Sequence, residues 1–151
     1  MPLEEGADAP IVTAPNQDGE EVELDFDEPT VLYFYPEDDT PGCTIEANQF
    51  QRERETYADA GVEVYGVSTD DVDSHESFCD SEGLEFDLLA DPDAEIADAF
   101  DVELRNGATA RTTFFLADGE VKAVYENVDP DGHARDVLLD AIDEGRVSLP
   151  E

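Results

Sequence analysis

The chain has 151 residues, with 42 Asp plus Glu against 7 Lys plus Arg and a formal net charge of -35. Such a polyanion is repelled by nucleic acid and by anionic membrane surfaces, so neither is an expected partner. Disorder is excluded too, because 40% of the residues are hydrophobic and the runs Val31 to Tyr35 and Thr113 to Leu116 call for a core.

The start, Met1-Pro2-Leu3-Glu4-Glu5, has neither a basic region nor an apolar run. Ala9-Pro10-Ile11-Val12 to Pro15-Asn16-Gln17-Asp18-Gly19 is turn-rich and leads into Val22-Glu23-Leu24, which alternates like a short edge strand. Thr30 to Tyr35, continuous in apolar and β-branched residues between Pro29 and Pro36, predicts a buried central strand. From Cys43 to Ala58, Ile45, Ala47, Phe50 and Tyr57 recur at roughly helical spacing, which predicts a long helix ending near Gly61.

Val62 to Val67 predicts a second buried strand, Ser74 to Glu82 a helix closed by Gly83, and Phe86 to Ala90 a short strand. Ala94 to Phe100 is expected as a short helix. Thr112 to Leu116 and Val121 to Tyr125 flank an Asp118-Gly119 pair, a hairpin signal, and Asp131 to Glu144 predicts a last helix. Parallel crossovers finished by an antiparallel pair give an α/β sandwich in a single domain over 1–151. No window approaches the ~18 to 20 apolar residues of a membrane span, so a cytoplasmic protein is expected.

Chemistry concentrates at Thr40-Pro41-Gly42-Cys43. Thr40 suits an N-cap and Pro41 the first helical position, so Cys43 falls on the third. There the unpaired backbone N–H groups and the positive end of the helix dipole favour a thiolate. Glu37, Asp38 and Asp39 oppose this unless they point into water and salt. Gly42 removes a side chain beside the sulfur and leaves space for a small substrate. A cysteine serving only as a small buried hydrophobe would not require the Thr-Pro-Gly frame.

The segment FYPEDDTPGCT, from Phe34 to Thr44, resembles the active-site segment of peroxiredoxins of the bacterioferritin-comigratory or Q type. APIVTAPNQDGEEVEL, GVEVYGVSTD and RTTFFLADGEV extend the resemblance along nearly the whole chain. It implies a thioredoxin-like three-layer sandwich, a central mixed β-sheet flanked by helices, with an N-terminal extension. It also implies thiol-dependent reduction of hydrogen peroxide and alkyl hydroperoxides without metal or cofactor.

Carried over, Cys43 is the peroxidatic nucleophile and Thr40 the hydroxyl that positions the peroxide. Pro36 shields the sulfur from water, and Gly42 and Cys43 supply backbone N–H donors. Arg111 stabilises the thiolate, braced by Glu46 from the first helical turn. Cys79 is the candidate resolving thiol, with a thioredoxin-like dithiol as reductant and a monomer or weak dimer as the assembly. Two departures stand out. Glu37 occupies a position where many members carry lysine, and Asn48 one where many carry a second cysteine.

Other candidates are weaker. His75 and His133 lack zinc-site spacing, and the run from Asp91 imitates a calcium loop without its glycine or final glutamate. Both read as caps, turns and solvated faces. Arg105 rivals Arg111, but only Arg111 heads an apolar strand. Three alternatives stay open: a one-cysteine peroxidase resolved by an external thiol, a non-catalytic thioredoxin-fold binding or holdase protein, and Cys79 as a core residue. A dithiol oxidoreductase would need a Cys-x-x-Cys, which is absent. With a single lysine, Lys122, the acidic surface reads as adapted to a salt-rich cytoplasm, where molar salt cuts the screening length to roughly 3 Å.

Overall fold

The structure is a computed structural model that describes residues 2–126 and 128–147. In chain order it contains β1 (Val12–Pro15), β2 (Glu21–Leu24), β3 (Thr30–Phe34), α1 (Pro41–Asp59), β4 (Glu63–Ser68), α2 (Val72–Glu82) and β5 (Asp87–Ala90). There follow α3 (Glu95–Ala99), β6 (Leu104–Arg105), β7 (Ala108–Thr109), β8 (Thr112–Ala117), β9 (Glu120–Tyr125) and α4 (His133–Asp143).

Five strands form one sheet in the order β5-β4-β3-β8-β9. β3, β4 and β5 are parallel, and β8 and β9 run antiparallel, so the expected crossovers and terminal hairpin are both present. Every residue of β3 is buried, since it has a strand on each side and a layer on each face. Its side chains alternate between two cores. Val31 and Tyr33 join Phe50, Tyr57, Phe78, Val137 and Leu138 under α1, α2 and α4. Leu32 and Phe34 join Val12, Leu24, Ile96, Phe100 and Phe114 under the β1–β2 hairpin and α3. This is the thioredoxin-like sandwich with a mixed sheet.

Close packing demands a glycine where β3 meets β4. Tyr33 lies opposite Gly66, and a Cβ there would come within 2.9 Å of the Tyr33 ring and 2.8 Å of Leu88.

Two pieces escaped the sequence pattern. β1 pairs with β2, although Pro15 and the surrounding turn residues hide it. β6 and β7 form a small hairpin around Asn106-Gly107, both with positive φ, in strands too short to show alternation. Boundaries also shift: Asp71 caps α2 by accepting from Ser74 N, so the helix begins at Val72. α4 begins only at His133, after Gly132 at φ 86°. Ile45 is 44% exposed, so α1 meets the core through Cys43, Glu46, Ala47, Phe50 and Tyr57.

The segment ahead of β1 runs along the sheet. Gly6 N donates to Val121 O, Val121 N to Ala7 O, and Ala9 N to Gly119 O, at the β8–β9 turn and the outer side of the start of β9. At the opposite side, Gln17 accepts from Leu88 N and donates to the Asp87 carboxylate on β5. Among the described residues, no helix is long and apolar enough to cross a membrane.

Candidate active site

α1 starts at Pro41, which places Gly42 second and Cys43 third in the helix, with Thr40 as the N-cap residue. Thr40 has extended backbone and its C=O accepts from Thr44 N, but its side chain caps nothing. The hydroxyl instead donates to Glu37 O at 2.8 Å, which corrects the capping role expected for it. Its oxygen keeps lone pairs for another donor, and the first-turn N–H groups receive no side-chain cap.

Cys43 is 1% exposed, and its sulfur accepts from Arg111 Nη2 at 3.3 Å. Arg111, just before β8, is turned under α1, and its Nη1 donates to Glu46 Oε1 at 2.7 Å. The guanidinium thus spans sulfur and carboxylate. Burial works against its charge, but Glu46 and the Cys43 sulfur outweigh this and hold Arg111 above its ordinary pKa. Glu46 itself is 0% exposed; burial, only partly offset by Arg111, raises its carboxyl to about 7. Among the described residues its Oε2 has no hydrogen-bond partner. Glu46 sits one turn beyond the first turn of α1, which contains no acidic residue, so its expected place is corrected by that much.

Gly42 does not simply leave free space. A Cβ there would lie 3.1 Å from Arg111 Nη2 and 3.6 Å from Pro130, so the missing side chain makes room for the guanidinium. Pro130 had no signal in the sequence. Pro36 is half-buried at the entrance to this loop. The rival Arg105 is exposed and pairs with Glu103.

The three carboxylates before the cysteine do not all face water. Glu37 and Asp39 are exposed, but Asp38 is buried. Its Oδ1 accepts from Tyr35 OH at 2.6 Å, while Ser74 Oγ, at 2.8 Å, and His75 Nδ1, at 2.7 Å, meet Oδ2. Fixed dipoles therefore replace the water expected around it. His75 and His133 are likewise buried rather than on solvated faces. His133 Nε2 lies 2.8 Å from Thr113 Oγ1, and burial, with Arg111 nearby, lowers its pKa to about 4. These contacts join positions remote in sequence, and no local pattern announces them. Asp91 is a cap, accepting from Ile96 N and Ala97 N.

Cys79 lies on the inner face of α2 beside Phe78 and is a free thiol, as is Cys43. Burial, reinforced by Asp38, Asp18 and other carboxylates, pushes its pKa up to about 12.

The sequence model of the AhpC/TSA family matches residues 6–124. The chain belongs to that family. It is 36% identical over 153 residues to peroxiredoxin Bcp of Escherichia coli, covering 95% of this chain and 97% of the relative. The crystal structure of peroxidoxin BcpB from Mycobacterium tuberculosis superposes with a TM-score of 0.85 at 31% identity, covering 91% of this chain and 95% of that one. Peroxiredoxin Q of Xanthomonas campestris gives 0.82 at 33% identity, with 87% and 90% covered. A peroxiredoxin of the Bcp/PrxQ type is a thiol-dependent peroxidase, and so is this protein.

Proposed function

We propose that Cys43 is the peroxidatic nucleophile, and that the observation carrying this assignment is the Glu46–Arg111–Cys43 chain of contacts. A cation held from behind by a buried carboxylate and pointed at one sulfur favours that sulfur as a thiolate. The thiolate attacks the terminal oxygen of a hydroperoxide, the O–O bond breaks, and the departing alkoxide or hydroxide takes up a proton. Cys43 becomes a sulfenic acid. Arg111, with the N–H groups of Gly42 and Cys43, faces the charge that grows on the oxygens, and Thr40 accepts a hydrogen bond from the peroxide. Pro36 keeps bulk water from the sulfur. A sulfur this enclosed suits hydrogen peroxide and alkyl hydroperoxides with slender reacting ends.

Cys79 then resolves the sulfenic acid: its sulfur bonds to Cys43 Sγ while the hydroxyl leaves as water with the thiol proton. A thioredoxin-like dithiol reduces the disulfide. With a raised pKa and a side chain buried in the core, Cys79 must leave its site first, so part of α2 and the first turn of α1 unwind during each turnover. We assign the protein to a salt-rich cytoplasm, as one domain over 1–151 and as a monomer or weak dimer.

The deciding experiment is mass spectrometry after one equivalent of hydrogen peroxide. The wild type is expected to lose two mass units and yield a Cys43–Cys79 crosslinked peptide. Cys79→Ser is expected to accumulate sulfenic and sulfinic Cys43, and Cys43→Ser to leave peroxide unconsumed while remaining folded. Normal turnover by Cys43→Ser would end the assignment. Normal turnover by Cys79→Ser without any crosslink in the wild type would transfer resolution to an external thiol.

A further inference from the structure

Asp38 stands in the loop that leads into α1, and His75 in the first turn of α2. Asp38 binds Ser74 and His75 through Oδ2 and Tyr35 through Oδ1, and its own N–H donates to Asp70 Oδ2 at 2.8 Å. The side chains of the pair are 3% and 0% exposed. His75 Nε2 lies 3.0 Å from Leu89 O, so the ring is held from two directions.

Little else holds this helix. Its buried residues are His75, Phe78 and Cys79, all on one face, with Cys79 one turn beyond His75. Past Cys79, Asn48 donates to Glu82 at 2.9 Å and Gly83 ends the helix in the left-handed conformation. A groove of about 250 Å³ beside this joint is lined by Asp38, Asp39, Ser74, Ser77, Phe78 and Ser81.

We propose that the Asp38–His75 pair is a positioning latch: it docks α2 against the loop that leads into α1, and so sets how often Cys79 leaves the core. The proposal rests on the resolving role assigned to Cys79 for its consequence in turnover, but the latch itself is testable without it. A buried carboxylate stripped of its donors is costly, so a partly loosened joint is disfavoured and the junction behaves as docked or released. In the docked state Arg111 and Thr40 face a settled Cys43. In the released state Cys79 reaches the sulfenic acid before a second peroxide drives it to sulfinic acid.

Two substitutions separate the arms of the ring. Gln at position 75 places its amide nitrogen near Nε2, keeping the bond to Leu89 O and losing Asp38. Asn places it near Nδ1, keeping Asp38 and losing Leu89. In reduced protein carrying Cys43→Ser, alkylation of Cys79 by iodoacetamide is expected to rise about ten-fold in His75→Gln and to stay near the starting rate in His75→Asn. Ser74→Ala, which removes one donor from a partly exposed serine, is expected to raise it less. Equal rates in His75→Gln and His75→Asn would overturn the latch, because a ring that only fills space makes no such distinction. Should His75→Gln fail to fold, an unchanged rate in Ser74→Ala would overturn it as well. With Cys43 restored, His75→Gln is expected to form the disulfide faster and to accumulate less sulfinic acid in excess peroxide. A wild type that never forms the disulfide, with the alkylation difference intact, would remove the resolving role and leave the latch standing.

Discussion

A methyl group on Gly42 would sit 3.1 Å from Arg111 Nη2, and the guanidinium cannot retreat without loosening its bond to Glu46. Gly42→Ala is therefore expected to lower kcat/KM for peroxide roughly 10- to 100-fold, through misplacement of one donor. Alanine is the better helix former by up to about 1 kcal/mol, which offsets part of the cost of disturbing the buried Arg111–Glu46 pair, so the melting temperature should change little while activity falls. Glu46 supplies a pH dependence with a definite sign. Burial raises its pKa from an ordinary 4.5 to about 7 in the folded state, so the folded chain binds the proton more tightly than the unfolded one. Its contribution to stability is full below about 4.5 and is lost as pH rises through about 7. Measured by urea denaturation across that window, the stability of Glu46→Gln relative to wild type should improve as pH rises. At this scale Pro41 and Cys43 were legible because each has a local reason for its place at a helix start, whereas the work of Thr40 and Gly42 depends on Glu37 O and on distant Arg111. Asp38 and His75 were not legible, since their pairing depends on a loop and a helix meeting in space.

The same division holds for elements. β3, β4 and β8 were legible as apolar runs because most of their residues are buried, whereas β1, β6 and β7 belong to local hairpins whose strands are too short to show alternation. α2 could be recognised from Ser74 to its Gly83 end, but neither its Asp71 cap nor how little its middle buries was legible. Asp71→Ala removes the cap bonded to Ser74 N and is expected to cost about 1 kcal/mol. Hydrogen exchange should show the loss first in α2, ahead of the central strands. Gly66→Ala tests the sheet instead. Its Cβ would press on Leu88 and on the Tyr33 ring, which stacks on Phe50 with centroids 4.5 Å apart. A loss of about 1–3 kcal/mol is expected in chemical denaturation, with little selective effect on α2.

Across the whole molecule, a chain with 42 acidic residues carries a mostly acidic surface around a site whose cation, Arg111, is turned inward. Repulsion within that shell opposes the compact state in dilute buffer, and salt relieves it. The melting temperature is expected to climb between dilute buffer and molar KCl, by about 2–4 °C for each kcal/mol of repulsion removed. An unchanged value would contradict adaptation to salt. Salt also has a cost for solubility. The same screening that steadies each copy removes the repulsion that keeps copies apart, and a bare strand would then recruit its neighbours into aggregates. Here residues 6–9 bond Gly119 and Val121 at the start of β9, and Gln17 bonds Leu88 N on β5, so each border of the sheet is covered in part. Solubility in brine can thus rest in part on edge backbone already bonded within the chain, and less on charge. Without residues 2–17, the chain should scatter more light as KCl rises, the reverse of what salt does for the intact protein.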